Sequence, residues 1–230
     1  MADLGDTVCR RIVAICAGFA FAALTCAGSG AALAAPGDDH LVSVSEITGN
    51  AAGGQTARVP FSGNGRYLLF YSTASTVVPG DTNGVYDVFL RDLVSNTTER
   101  ISVGVGGVEP DGHSDANAVS FDGRYVVFGS NATNVVAGGS SGAHHQVYVR
   151  DRWTGQTERA FIGPTPPADT WWGSISDDGR FVAYSSGDGD AFVTDRLAGT
   201  TTKIGPGILC EISGNGRYVV FTTAHGNRDL

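Results

Sequence analysis

Ser120-Phe121-Asp122-Gly123-Arg124-Tyr125-Val126-Val127-Phe128 is one of four near-identical phrases in this chain. The others are Ser62-Gly63-Asn64-Gly65-Arg66-Tyr67-Leu68-Leu69-Phe70, Ser176-Asp177-Asp178-Gly179-Arg180-Phe181-Val182-Ala183-Tyr184 and Ser213-Gly214-Asn215-Gly216-Arg217-Tyr218-Val219-Val220-Phe221. Their glycines, Gly65, Gly123, Gly179 and Gly216, are spaced 58, 56 and 37 residues apart. Asn-Gly and Asp-Gly are the dipeptides that accept positive φ at both central positions of a type I′ turn, so each phrase predicts a hairpin with its glycine as a structural turn residue. The serine is placed to hydrogen-bond the turn backbone. The apolar run after each turn is nearly continuous, which predicts a strand covered on both faces.

Between these phrases a second element recurs: Val85-Tyr86-Asp87-Val88-Phe89-Leu90-Arg91-Asp92, Gln146-Val147-Tyr148-Val149-Arg150-Asp151 and Asp190-Ala191-Phe192-Val193-Thr194-Asp195. Its β-branched and aromatic residues predict strands, each followed by a turn at Asn96, Gly155 or Gly199. The repeated Arg-Asp pairs at 91–92 and 150–151 predict a structural tie between strands or blades. A third element follows, in Thr98-Glu99-Arg100-Ile101, Thr157-Glu158-Arg159-Ala160 and the shorter Thr202-Lys203-Ile204. With the short strand leading into each phrase, every unit has four antiparallel strands. Repeats of this length built from strands predict an all-β, radially repeated protein: a β-propeller of four-stranded antiparallel blades. The units fall at about 57–104, 115–163, 171–205 and an incomplete 208–230, with residues 41–45 a lone strand of a preceding or closing blade. That is about three and a half blades, a minimal ring or, as the favoured expectation, a truncated one.

The run Val77-Val78-Pro79-Gly80-Asp81-Thr82-Asn83-Gly84-Val85-Tyr86-Asp87-Val88-Phe89-Leu90-Arg91-Asp92-Leu93 resembles the TolB-type, WD-repeat-like β-propeller repeat of exported bacterial proteins. The resemblance extends over roughly residues 41 to 223. It implies a propeller and leaves activity open, because members serve as interaction modules and as domains beside hydrolases.

Residues 1–34 read as a signal peptide. Arg10-Arg11 form a positive n-region, Ile12 to about Leu24 an apolar h-region, and Ala32-Leu33-Ala34 a small-x-small site with cleavage before Ala35. The apolar run is shorter than the ~20 residues a membrane span needs, so the expectation is export to the periplasm or beyond, with no membrane span after cleavage. A lipoprotein reading through Cys26 fits less well, since Thr25 stands where a small residue belongs. Cys9, Cys16 and Cys26 leave with the signal, and Cys210 alone remains, as a buried small hydrophobe. The net charge is −8, with no basic cluster, which argues against nucleic acid as a partner.

Asp81, Asn83 and Asp87 form the metal candidate, for calcium: oxygen ligands at the first, third and seventh places of a loop with a glycine bend. The loop lacks the ligands at places five and twelve, and an Asx-turn explains the same residues. His144-His145 is expected on a loop without an acidic partner. His113-Ser114-Asp115 holds the residue types of a hydrolase triad without its geometry, so no catalytic set is assigned. Trp171 and Trp172 are the ligand-binding candidates, placed to stack on a sugar or peptide. Strand alternation alone puts one of them inside and one at the surface.

The function expected from the sequence is an exported binding or scaffolding module for a protein or glycan partner, with self-association through an open blade edge as a further expectation. The alternatives are a polymer-degrading hydrolase or lyase with its site on the propeller face, and a non-functional fragment of a longer propeller protein.

Overall fold

The computed structural model describes residues 60–139 and 144–223 in full, together with the backbone of three two-residue strands. Two of these, β1 (Ile12–Val13) and β2 (His40–Leu41), pair in parallel outside the blades. Of the lone strand expected at 41–45, only Leu41 is described.

Three four-stranded antiparallel sheets and one two-stranded sheet follow. The first blade is β3 (Thr56–Ala57), β4 (Tyr67–Ser72), β5 (Asp87–Asp92) and β6 (Thr97–Arg100). The second is β7 (Ser114–Val119), β8 (Tyr125–Ser130), β9 (Gln146–Asp151) and β10 (Gln156–Arg159). The third is β11 (Thr170–Ile175), β12 (Phe181–Ser186), β13 (Asp190–Asp195) and β14 (Thr200–Pro206). The fourth holds β15 (Ile208–Ile212) and β16 (Val219–Thr222). Strands are in sequence order within each sheet, as in the up-and-down blades of a propeller.

The continuous apolar runs have the cause expected of them. Leu69, Leu90, Val126, Phe128 and Tyr148 are packed between blades one and two, and Val127, Val147, Val182 and Tyr184 between two and three. A central strand such as β5 is buried along its whole length, and its polar residues Asp87, Arg91 and Asp92 are each held by hydrogen bonds. Ala183, Ala191, Cys210 and Ile212 fill the third junction. Burial pushes the Cys210 thiol up to about 11, so it stays an inert thiol.

The turn phrase differs in one respect from the type I′ reading. In each copy only the glycine has positive φ, at 70°, 77°, 73° and 69° for Gly65, Gly123, Gly179 and Gly216. The glycine N–H donates back to the carbonyl of the serine, 2.8 Å from Gly65 to Ser62 and 3.0 Å from Gly123 to Ser120. The loop is thus longer than a two-residue hairpin, and glycine follows the turn as the single left-handed residue. Asn64 and Asp122 act through their side chains instead, each accepting the serine hydroxyl and the N–H of the following arginine. The serine oxygen in turn accepts the N–H of Tyr67 or Tyr125 at 2.9 Å.

The arginine of the phrase explains why aspartate ends the third strand. Arg66 grips Asp92 through Nε at 3.0 Å and Nη2 at 2.7 Å, and Arg124 grips Asp151 at 3.1 and 2.7 Å. Arg180 holds Asp195 in the same fork. The same aspartates accept the N–H of Val94, Trp153 and Leu197, so one carboxylate joins two turns. The neighbouring Arg91 and Arg150 bond within their own hairpins, to Thr98 and Thr157.

Candidate functional site

Trp171 and Trp172 open β11, the first strand of blade three. Alternation would bury one of them; both are exposed, at 37% and 40%. The cause is a β-bulge between Trp171 and Ser174, with Trp172 at φ 50°. Left-handed backbone at a bulky residue costs on the order of 1–3 kcal/mol. Bulges of this kind re-aim side chains. Blade two has an irregularity at the matching place, between Ala116 and Ala118.

The nearest partner of the tryptophan pair comes from a residue that sequence reasoning set aside. His145, just before β9, stacks flat on Trp171, with ring centroids 3.9 Å apart and planes 9° from parallel. Its Nε2 lies 2.6 Å from Asp115 Oδ1, and its Nδ1 lies 2.8 Å from the Thr170 carbonyl. Both partners are acceptors, so the ring donates twice and is an imidazolium. Burial opposes that charge; the hydrogen bond and the charge of Asp115 outweigh it, and the His145 pKa is raised.

Backbone bonds fix the cluster. Val147 N–H donates to Thr170 Oγ1 at 2.8 Å, and Gln146 Nε2 donates to Ala168 O at 2.7 Å. These clamp the start of β9 to the start of β11. Gly129 leaves the room that His145 and Asp115 occupy, since a Cβ there would meet both side chains. Asp169 accepts the His145 N–H at 2.8 Å, and its Oδ1 lies 3.5 Å from His144 Nδ1. His144 and His145 therefore both have acidic neighbours, against the sequence expectation. The signal was weak but present: position 145 precedes β9 as Tyr86 precedes β5, and Asp115 aligns with Trp171.

The result is a shallow rim made of two exposed indoles, an imidazolium and two carboxylates, Asp115 and Asp169, that are 41% and 36% exposed. Apolar ring faces beside fixed acceptors suit a ligand with both C–H faces and hydroxyls. His113 and Ser114 do not join it as a triad. His113 Nδ1 accepts the Tyr86 N–H at 3.1 Å, and Ser114 Oγ donates to Ser130 in the interior at 3.0 Å.

The metal candidate is rearranged. Asp81 and Asp87 come together with Glu109, their ligand atoms within 4.8 Å of one another. Asn83 donates its Nδ2 to Asp87 at 2.9 Å, and its Oδ1 is taken by the Val85 N–H. The Arg100 guanidinium stands among the acids, 2.7 Å from Glu109, 3.7 Å from Asp87 and 3.9 Å from Asp81. Burial, and then the charge of Asp87, push Asp81 up to about 6. Burial works against ionisation of Glu109 too, but hydrogen bonds from Thr82 and Arg100 bring it down to about 2.

The fold has a counterpart among solved structures. The crystal structure of TolB from Acinetobacter baumannii is similar with a TM-score of 0.50 and 21% identity, over 77% of this chain and 39% of that one. An oligogalacturonate lyase in complex with manganese is similar with a TM-score of 0.46 and 13% identity, over 74% of this chain and 46% of that one. No family model matches the chain, and no characterised protein matches it in sequence. The protein has an all-β, TolB-like β-propeller fold and spans about two-fifths of the TolB chain it matches. Among the described residues, no helix is long and apolar enough to cross a membrane.

Proposed function

We propose that this protein is an exported propeller module that binds a glycan on the Trp171–Trp172 rim. The observation that carries the reading is the pair of tryptophans exposed together by a bulge, one of them in left-handed backbone. Blade two has the same irregularity between Ala116 and Ala118, and in blade four Leu209 has φ 55° at the place of Trp172, so the bulge belongs to the blade. What is particular to blade three, and supports a binding face, is that both side chains it exposes are indoles. The signal-like N-terminus supports export.

The alternative, a polymer-degrading enzyme, has its best support in the Asp115–His145 pair. A general base needs a free nitrogen within reach of its substrate. Both His145 nitrogens are engaged, which favours binding.

The test is titration of the protein with a panel of soluble neutral and acidic oligosaccharides, read by tryptophan emission. The expected result is a saturable shift that Trp171→Ala abolishes and Trp153→Phe preserves. No saturable shift with any member, or one that survives Trp171→Ala, would overturn the reading. Shortened oligosaccharides in the same samples would move the assignment to the enzyme.

A further inference from the structure

The turn between β12 and β13 lies beside the tryptophan rim. Its first residue, Gly187, donates its N–H to the Asp169 carbonyl at 2.9 Å. The place that a Cβ on Gly187 would take is 3.2 Å from Asp169 Cβ and 3.8 Å from both Asp169 Oδ2 and Trp171 Nε1. Gly187 lies outside the left-handed region, so its backbone does not call for glycine. What the missing side chain leaves is a notch between a carboxylate and the edge of an indole.

The charge around this notch is negative. Asp169 Oδ1 takes the His145 N–H, and no hydrogen bond among the described residues reaches its Oδ2. Asp188, next in the turn, is exposed and has no basic partner among the described residues. Lys203, the one lysine of the chain, is held by Asp190 at 2.6 Å. The His145 imidazolium uses both N–H groups on Asp115 and Thr170, so it has none for a ligand anion. The indoles share the preference, because their faces attract cations through the ring quadrupole. Trp171 already carries a cation, the imidazolium stacked at 3.9 Å. Trp172, 40% exposed, carries none among the described residues.

We propose that the rim selects a cationic amino sugar, with its ammonium in the notch at Asp169 Oδ2 and its ring against the indoles. The inference rests on the glycan reading and narrows it to one charge class. An ammonium brings three donors and the countercharge that Asp169 and Asp188 lack. A neutral N-acetylated sugar keeps the stacking and forgoes the ion pair. A uronic acid sets a further carboxylate against two that have no cation beside them. The net charge of −8 adds a long-range pull on cations. Asp169 is therefore the residue that sets specificity.

The experiment titrates the full chain with three trisaccharides, of glucosamine, of N-acetylglucosamine and of a uronic acid, read by tryptophan emission. At about pH 5.5 the carboxylates are ionised and the amines protonated. The glucosamine trimer should bind about fivefold tighter than the acetylated one, with the uronic acid trimer weakest. High salt should shrink that advantage. Asp169→Asn keeps the Oδ1 that takes the His145 N–H and removes the charge, so the glucosamine trimer should fall to the affinity of the acetylated one. Gly187→Ala fills the notch without altering charge and should have the same effect; it replaces Asp169→Asn as the test if that variant does not melt cooperatively. Glu99→Gln, an equal loss of charge on blade one, should keep the preference. Equal affinities for the first two trimers would overturn this proposal and leave the glycan reading standing. So would a preference that survives Asp169→Asn or is lost in Glu99→Gln. No binding of any trimer would remove both.

Discussion

The ring of Tyr67 fills the space that a side chain at position 123 would need, so the tyrosine of one blade is seated on the turn glycine of the next. Gly65 has nearly the same backbone, at φ 70° against 77°, with none of that crowding among the described residues. The pair separates two costs that usually come together. Gly65→Ala should cost about 1 kcal/mol through backbone strain alone. Gly123→Ala should cost a further ~1–3 kcal/mol through overpacking against the ring. Denaturant melts of both variants measure the difference; equal losses would remove the interlock.

The forked Arg-Asp clips set the acid limit of the fold. The Arg124 and Arg180 guanidiniums hold Asp151 and Asp195 down to about 2, against an ordinary value of 3.8, and Asp92 is likewise lowered by Arg66. Groups whose folded pKa is depressed supply stability that is present above the unfolded value and is lost as pH falls through the folded one. The melting temperature should therefore drop between about pH 4 and pH 2. Asp151→Asn should lower stability at pH 7 and flatten that drop, as thermal melts across the range would show.

His145 has the opposite sign. Its pKa is raised, so the stability it contributes is present below its ordinary value of 6.5 and fades as pH rises through the folded value. Asp115→Asn removes the largest attraction and leaves burial opposed by the Thr170 carbonyl and Asp169 alone, so the pKa falls. The stability that fades with rising pH should then shrink, flattening the slope. Imidazole chemical shifts in the natural protein and in Asp115→Asn check both directions.

Arg100 is the internal cation of the Asp81–Asp87–Glu109 cluster. Arg100→Gln leaves three crowded carboxylates without it and should cost about 3–5 kcal/mol at pH 7. Millimolar calcium should recover part of that loss by occupying the same space, and Asp81→Ala in the Arg100→Gln background should abolish the recovery. A calcium-insensitive Arg100→Gln variant would show that the acids cannot gather around a metal.

Blade architecture was legible in the sequence because it is written locally. Ser-x-x-Gly-Arg specifies a turn, and the run after it a strand buried on two faces; neither depends on anything distant. What remained hidden depends on contacts across blades. Asp115 and His145 meet from different hairpins, and His144-His145 gives no local sign of it. The bulge at Trp172 breaks the alternation that predicts burial, so the joint exposure of the tryptophans required the backbone. Asn83 reads as a ligand by spacing, yet its amide turns inward to Asp87. Glu109 was missed because it comes from another loop. The type I′ reading failed on one residue of loop length.

Because all three junctions are assembled from the turn phrases of neighbouring units, and two of them are closed by the arginine that follows a strand-ending aspartate, the seam is built from repeated parts. A gene of this kind can gain or lose a whole unit by recombination between its phrases and inherit a working seam at the splice. The number of blades is then free to drift in evolution, while the four or five letters of the phrase are not. Purifying pressure on such a lineage would fall on the seam, and the rim residues that differ from blade to blade would be the ones released to specialise.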